Sequence, residues 1–286
     1  MSSTIAVLAI NGLVFGLIIA LIALGLSIIF GLLDVINLAH GDFFMVGTVL
    51  TYVIFTMSGL FWPAFILVPL IGFLLGALIQ KLVMERLRNA AELSIVATFG
   101  LSMIIQEVVR MTFGAAPKRL VSPIQGTFNL LGVEYDIYRI VAALISAAAI
   151  TFFFLFLNKT KLGTWMRAVR HDRNSATALG IPTQSIFWIT FGLGFAMATL
   201  GGIVAAPITT VDFRAGVDVL PFCFMAVIIG GLGNLPGTAA AAVLLSFLEG
   251  VISGFTDPTI ARIFSLVLMS AVLLFRPQGL FKGLAK

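Results

Sequence analysis

Long apolar runs separated by short polar joints dominate this chain, and they dictate the solvent it can live in. A helix needs about 20 mainly apolar residues to cross the hydrocarbon layer of a bilayer. Nine runs approach that length: 8–30, 42–58, 62–83, 93–113, 138–157, 184–206, 218–233, 237–255 and 260–275. Runs 42–58 and 218–233 are short, so each is a candidate for a broken or re-entrant piece, and the span count is eight or nine. With 60% hydrophobic and 10% charged residues, the chain lacks the polar surface a water-soluble exterior requires. The expected fold is therefore all-α: a polytopic helical membrane protein, residues 1–286 forming one domain in the lipid bilayer.

Charge placement supplies the topology. Lys81, Arg86 and Arg88 fall in one joint, Lys159, Lys161, Arg167, Arg170 and Arg173 in another, and Arg276, Lys282 and Lys286 in the tail. A nine-span map puts these eleven of the seventeen basic residues on one side. The excess of Lys and Arg in cytoplasmic loops then places them inside and the N-terminus outside. Arg110, Lys118, Arg119, Arg139, Arg214 and Arg262 fall near the other face. The formal charge of +5 thus reflects topology, and no nucleic-acid partner is expected. The first apolar run is too long for a secretory h-region and has no basic residue before it, so it is read as a retained span.

Two joints are long. The outer one, 114–137, holds Pro117, Pro123, Gly126 and Gly132, a turn-rich candidate docking surface. The inner one, 158–183, has few breakers over 164–179. It can form one or two short helices stopped by Gly180 and Pro182.

The segment 34–42, DVINLAHGD, is the most informative polar piece of the N-terminal third. Asn37, His40, Gly41 and Asp42 are candidates for lining a pathway, since irregular backbone at a break between spans is tolerated where it lines a cavity. The plainer alternative is a cytoplasmic turn in which Asn37 or Asp42 caps the following helix. A second segment, VIIGGLGNLPGT (227–238), is similar in its glycines and its Asn-Leu step, and Gly231, Gly233 and Asn234 join the candidate pathway. Glycine-interrupted segments in matching positions raise the expectation of an inverted repeat.

Other charges near spans, including Glu107 with Arg110 three residues on, and Glu249, have a structural reading in helix pairing and a functional one in substrate contact. Glycines such as Gly12, Gly16, Gly72, Gly76, Gly192, Gly194, Gly201 and Gly202 suit close helix packing. The single cysteine, Cys223, lies in an apolar run and reads as a packed residue. No Gly-Lys-Ser/Thr step, His-Glu-x-x-His or Gly-x-Ser-x-Gly occurs, so the chain is not expected to be an enzyme, to bind ATP itself, or to hold a metal or cofactor.

The run 25–48, with Asn37, Ala39, His40, Gly41 and Asp42, resembles the N-terminal signature of the LivH-type permeases of branched-chain amino acid ABC importers. The family often has Glu at the place of Asp42. Residues 162–182 resemble its coupling loop through Gly163, Met166, Arg167, Ala168, Ala176, Leu179, Gly180 and Ile181. Residues 228–238, and Pro277, Gln278 and Gly279 after Arg276, resemble its later signatures. The resemblance covers nearly the whole chain, in order. It implies half of a pathway for branched-chain or other hydrophobic amino acids in a bacterial inner membrane. It also implies a second related permease, two ATPase subunits and a periplasmic substrate-binding protein. In the inner loop, Trp165 and Met166 offer an apolar knob, Arg167, Arg170 and Arg173 offer charge, and Ala168 and Gly180 complete the candidate coupling element. A different class, a self-sufficient channel or secondary transporter for a small polar solute such as urea or an amide, needs an intramembrane relay. His40 and Glu249 are the candidates for it.

Overall fold

The computed structural model describes residues 2–87, 91–130, 132–276 and 278–281. Arg88, Pro277, Lys282 and Lys286 lie outside the described residues. The long helices are α1 (Ser2–Leu33), α2 (His40–Ser58), α3 (Ala64–Leu82), α4 (Ala91–Phe113), α5 (Ile137–Lys159), α8 (Thr183–Ala205), α10 (Leu235–Ile252) and α11 (Pro258–Phe275). Among the described residues, these eight are long and apolar enough to cross a membrane. Between α5 and α8 lie two short helices, α6 (Lys161–His171) and α7 (Arg173–Ala178), and between α8 and α10 lies the shorter apolar α9 (Ala215–Gly230).

α1 is apolar all round, as a helix at the centre of a membrane bundle should be. Its middle, Ala20 to Leu24, is fully buried. Glycines let its neighbours approach backbone to backbone. A Cβ at Gly16 would stand 2.9 Å from the Cα of Val243 in α10, and one at Gly194 of α8 would stand 2.7 Å from the Gly25 carbonyl oxygen. On α8, Thr199 and Phe195 meet Gly72 and Gly76 of α3, while Gly202 meets Gly47 of α2. Gly12 meets Ser246, Gly16 meets Val243, and Ser27 accepts a hydrogen bond from Thr238 at 3.1 Å, so α10 runs antiparallel to α1. Gly194 meets Gly25 and Gly201 meets Ile22, so α8 is antiparallel to α1 as well. Because α8 and α10 point the same way, α9 must return the chain across the layer between them. Among the described residues the chain thus passes through the layer nine times, eight times as a long apolar helix and once through a helix of 16 residues.

The two look-alike segments, 28–42 and 227–238, meet at the arginine-rich end, where Gly31 lies against Gly233, while 34–42 turns back into the bundle. Each joins a helix running toward that end to one running away. They are related in parallel, which corrects the expectation of an inverted repeat at these segments.

The outer loop adds a small hairpin not expected from the sequence, β1 (Thr127–Leu130) paired antiparallel with β2 (Val133–Asp136). Gly132 holds φ at +83° and donates its N–H to the Asn129 side chain at 2.8 Å, which closes the turn. Asn11 of α1 accepts from the Tyr135 hydroxyl at 3.0 Å and from Arg139 at 2.9 Å, fastening hairpin and α5 to the central helix.

Gly202→Ala would drive a methyl into Phe44 and to within 2.9 Å of the Gly47 Cα. A loss of about 1–3 kcal/mol is expected, read as a lower melting temperature in detergent. Gly100→Ala in α4 meets nothing within 4 Å and should gain about 0.5–1 kcal/mol in the same assay.

Candidate functional site

Asp34 ends α1. Its φ of +51° is a left-handed turn that Asp tolerates better than most residues. The next residues travel back into the bundle. His40 begins α2 with its Nε2 3.0 Å from the carbonyl oxygen of Ile22. Ile22 lies eleven residues before the end of α1, about 16 Å at 1.5 Å per residue. The six residues 34–39 reach that depth because an extended chain covers about 3.3 Å per residue. The segment is thus re-entrant.

Such backbone has no helix to satisfy it, and α4 supplies the partners. Thr98 Oγ1 accepts from Leu38 N at 3.2 Å and donates to the Ile36 carbonyl at 3.4 Å. One and two turns further along, Ser102 and Gln106 continue the stripe. Gln106 Nε2 donates to the Asp42 carboxylate and to Ser102 Oγ, each at 2.9 Å. Ser94, Thr98, Ser102 and Gln106 recur every four residues, and the first three are buried. That polar stripe was legible in the sequence, as the signature of a helix bonded through one face, but is absent from the sequence-based site.

The expected pathway residues fall into two places. Asn37, His40, Gly41 and Asp42 sit deep and buried. Gly41 packs on Gly216 at the start of α9, and the His40 ring lies 5.7 Å from that of Phe195. Neither Asn37 nor Asp42 caps α2 by a side-chain bond. Asn37 Oδ1 instead accepts from Ala39 N at 3.0 Å, and Asp42 faces α4. Asn37 Nδ2, His40 Nδ1 and Asp42 Oδ2 are buried and find no partner among the described residues. Because Ile22 O can only accept, His40 carries its proton on Nε2 and leaves an unused lone pair on Nδ1.

Gly231, Gly233 and Asn234 form the other break. Asn234 caps α10 by accepting from Gly237 N at 3.1 Å, and its Nδ2 donates to the Phe281 carbonyl at 2.6 Å. Leu280 N donates to the Ile229 carbonyl at 2.9 Å, so the tail closes over this break.

The inner loop forms the expected short helices. Thr160 caps α6, and Asp172 caps α7 through Asn174 N at 2.9 Å and Ser175 N at 3.3 Å. The Ser175 hydroxyl, then the backbone N–H groups, hold the Asp172 carboxyl below its usual range. The cap is complete at neutral pH and weakens only as acid takes the carboxylate away. Gly180, at φ +80°, turns the chain out of α7. Arg167 donates to the carbonyl of Leu157 and sets the α5–α6 elbow, against which Gly163 also packs. Ala168 and Trp165 are half-buried. Met166 is 3% exposed, so it anchors α6 to the bundle, correcting its expected place in an outward knob. Leu179, 82% exposed, is the protruding apolar residue.

Arg170 is exposed, and its guanidinium reaches the second break. A Cβ on Gly233 would stand 2.8 Å from its Nη2, and Gly31 lies on the other side. Arg167, Arg170 and His171 of α6, Gly31 of α1, Leu157 of α5 and Gly233 of the second break line one cleft of ≈ 620 Å³. The structure thus brings the candidate coupling helix onto the Gly233 break and separates that break from His40 and Asp42.

Two outlying pairs of charges meet. Glu107 and Arg110 meet at 2.6 Å on α4, and Glu249 faces Arg262 of α11 at 3.8 Å.

Residues 8–274 match the family model of the branched-chain amino acid transport system permease component. The chain belongs to this family. Its members are components of a transport system rather than enzymes. The chain is 27% identical to the high-affinity branched-chain amino acid transport system permease protein LivH of Salmonella typhimurium, across 94% of this chain and 93% of that one. It is 26% identical to BraD of Pseudomonas aeruginosa, across 95% and 94%. To LivM of Salmonella typhimurium it is 26% identical, across 91% of this chain and 67% of that one. No solved structure matches.

Gln106→Leu would strip Asp42 of its bond inside the bundle, at a cost of about 1–3 kcal/mol. Asp42→Leu with Gln106→Leu should cost less than the two single changes added, and unfolding in mixed micelles measures the difference.

Proposed function

We propose that this chain forms half of the transmembrane pathway of a bacterial ABC importer for branched-chain or other hydrophobic amino acids. It would lie in the inner membrane beside a second permease of the LivM kind, with two ATPases below and a periplasmic binding protein above. Family membership supports the transport class, and the relatives' names support the substrate. The observation that carries the mechanism is the seat of α6. Through Met166 and Arg170 it rests on the bundle where α1 ends and α10 begins. A push on α6–α7 therefore reaches Gly31, in the last turn of α1 just before the first break, and Gly233 in the second break.

ATP binding on the partners would move α6 and α7 as a unit, since Arg167 and the Asp172 cap stiffen the loop. The breaks at 34–39 and 231–234 would transmit that motion. They exchange few helix hydrogen bonds, and their backbones turn where glycine or Asp34 permits. Re-entrant residues around His40 and Asp42, with unpaired polar atoms, would line the route in its open state.

Gentle purification from the native membrane should bring down a second permease and ATPases with Gly-x-x-x-x-Gly-Lys-Ser/Thr motifs. A chain that purifies alone and moves solute in liposomes without ATP overturns the proposal. In the intact complex, Arg167→Glu with Gly180→Pro should leave membrane insertion normal and abolish uptake of labelled leucine. Normal uptake by that variant removes the coupling role of α6–α7.

A further inference from the structure

The cleft beneath α6 has an electrostatic imbalance that the transport reading does not resolve. Arg167, Arg170 and His171 line it, and among its described lining residues none is acidic. Arg167 is engaged by the Leu157 carbonyl and Thr164. Arg170 has no hydrogen-bond or carboxylate partner among the described residues, and its guanidinium lies beside Gly31 and Gly233. The residue is exposed, so the guanidinium is open to a ligand in the cleft, and its planar fork matches oxyanions. The bare glycines make this placement physically available, since a side chain on Gly233 would occupy the space of Arg170 Nη2.

Ser27, Asn158 and Asn234 also line the cleft, and an apolar patch stands among them. Ile28 and Leu32 belong to the last turns of α1, and Phe154 and Leu157 to the last turns of α5. The cleft therefore lies at the depth where spanning helices end and phospholipid headgroups begin, on the arginine-rich face. Basic pockets between spans at that level suit anionic headgroups. A carboxylate from a partner protein could answer the charge, but it would leave the apolar walls unused. A phospholipid meets both, its phosphodiester on Arg170 and its first methylenes against Phe154, Leu157, Ile28 and Leu32.

We infer that the α1–α5–α6 cleft is a binding site for one anionic phospholipid, whose phosphate is held by Arg170. The lipid neutralises the joint between α6 and the Gly233 break. The inference rests on the cleft alone and stands or falls apart from the transported substrate.

The test uses the full chain in micelles of mixed dioleoylphosphatidylglycerol and dioleoylphosphatidylcholine, read by native mass spectrometry. One phosphatidylglycerol should be retained in preference to phosphatidylcholine. Arg170→Gln should lower retention about tenfold, the loss of a charge-assisted bond. Asn158→Asp, nearly isosteric and within the cleft lining, should expel the lipid by supplying an internal counter-charge. Arg214→Gln, on the opposite face, should retain it. Equal retention of the two lipids, or no change in either cleft variant, overturns the inference. So does displacement of the lipid by inorganic phosphate, which would mark a free-phosphate site. Cross-linking of Arg170→Cys to an ATPase segment in the intact complex would likewise overturn it, in favour of a protein occupant.

Discussion

Backbone contact through glycine is the interaction on which the other features rest. Helices in lipid gain little from hiding apolar side chains from one another, so they associate where surfaces fit closely. α8 uses Gly192, Gly194, Gly201 and Gly202 to touch α3, α1 and α2. With those three helices and α10 locked around one another, the bundle can enclose stretches of chain that are not helical. Without that enclosure, the re-entrant backbone at 34–39 would face hydrocarbon with unmet N–H and carbonyl groups, which is prohibitive. The scaffold comes first in this causal order, and the irregular backbone is what it makes tolerable.

The two breaks solve the same problem by different means. The first is satisfied from the side, by hydroxyls and an amide on α4 that reach Ile36, Leu38 and Asp42. The second is satisfied from below, by the tail that follows α11. α4 is otherwise, together with α11, the span least buried within this chain. Its attachment through a polar stripe makes the first break dependent on a helix that apolar packing holds only weakly. A device that had to open and close would place its weaker seam there.

Much of this was legible in the sequence, and the parts that were not share a cause. The long spans were plain because twenty apolar residues admit few alternatives. α6 and α7 were plain because Gly180 and Pro182 stop them. The hairpin at 127–136 was missed because turn residues had marked the loop as irregular, although Phe128 and Tyr135, whose rings now meet at 5.9 Å, alternate with polar neighbours. The re-entry of 34–39 could not be read locally: its depth is fixed by His40 meeting Ile22, a contact set by tertiary packing. Met166 likewise reads as a knob on an isolated helix and as an anchor once α6 lies on the bundle. The partnering of Gly31 with Gly233 joins segments some two hundred residues apart, and only the shared run of glycines hinted at it.

The tail makes the second break depend on a distant part of the chain. Gly279 packs so closely on Gly231 that neither position has room for a side chain, and Leu280 and Phe281 supply bonds to Ile229 and Asn234. These residues follow α11 in the chain, so two elements separated by the whole of α10 and α11 close one break together. The second break is therefore a long-range joint, and a chain cut just after α11 would leave the Ile229 carbonyl and the Asn234 amide without these bonds.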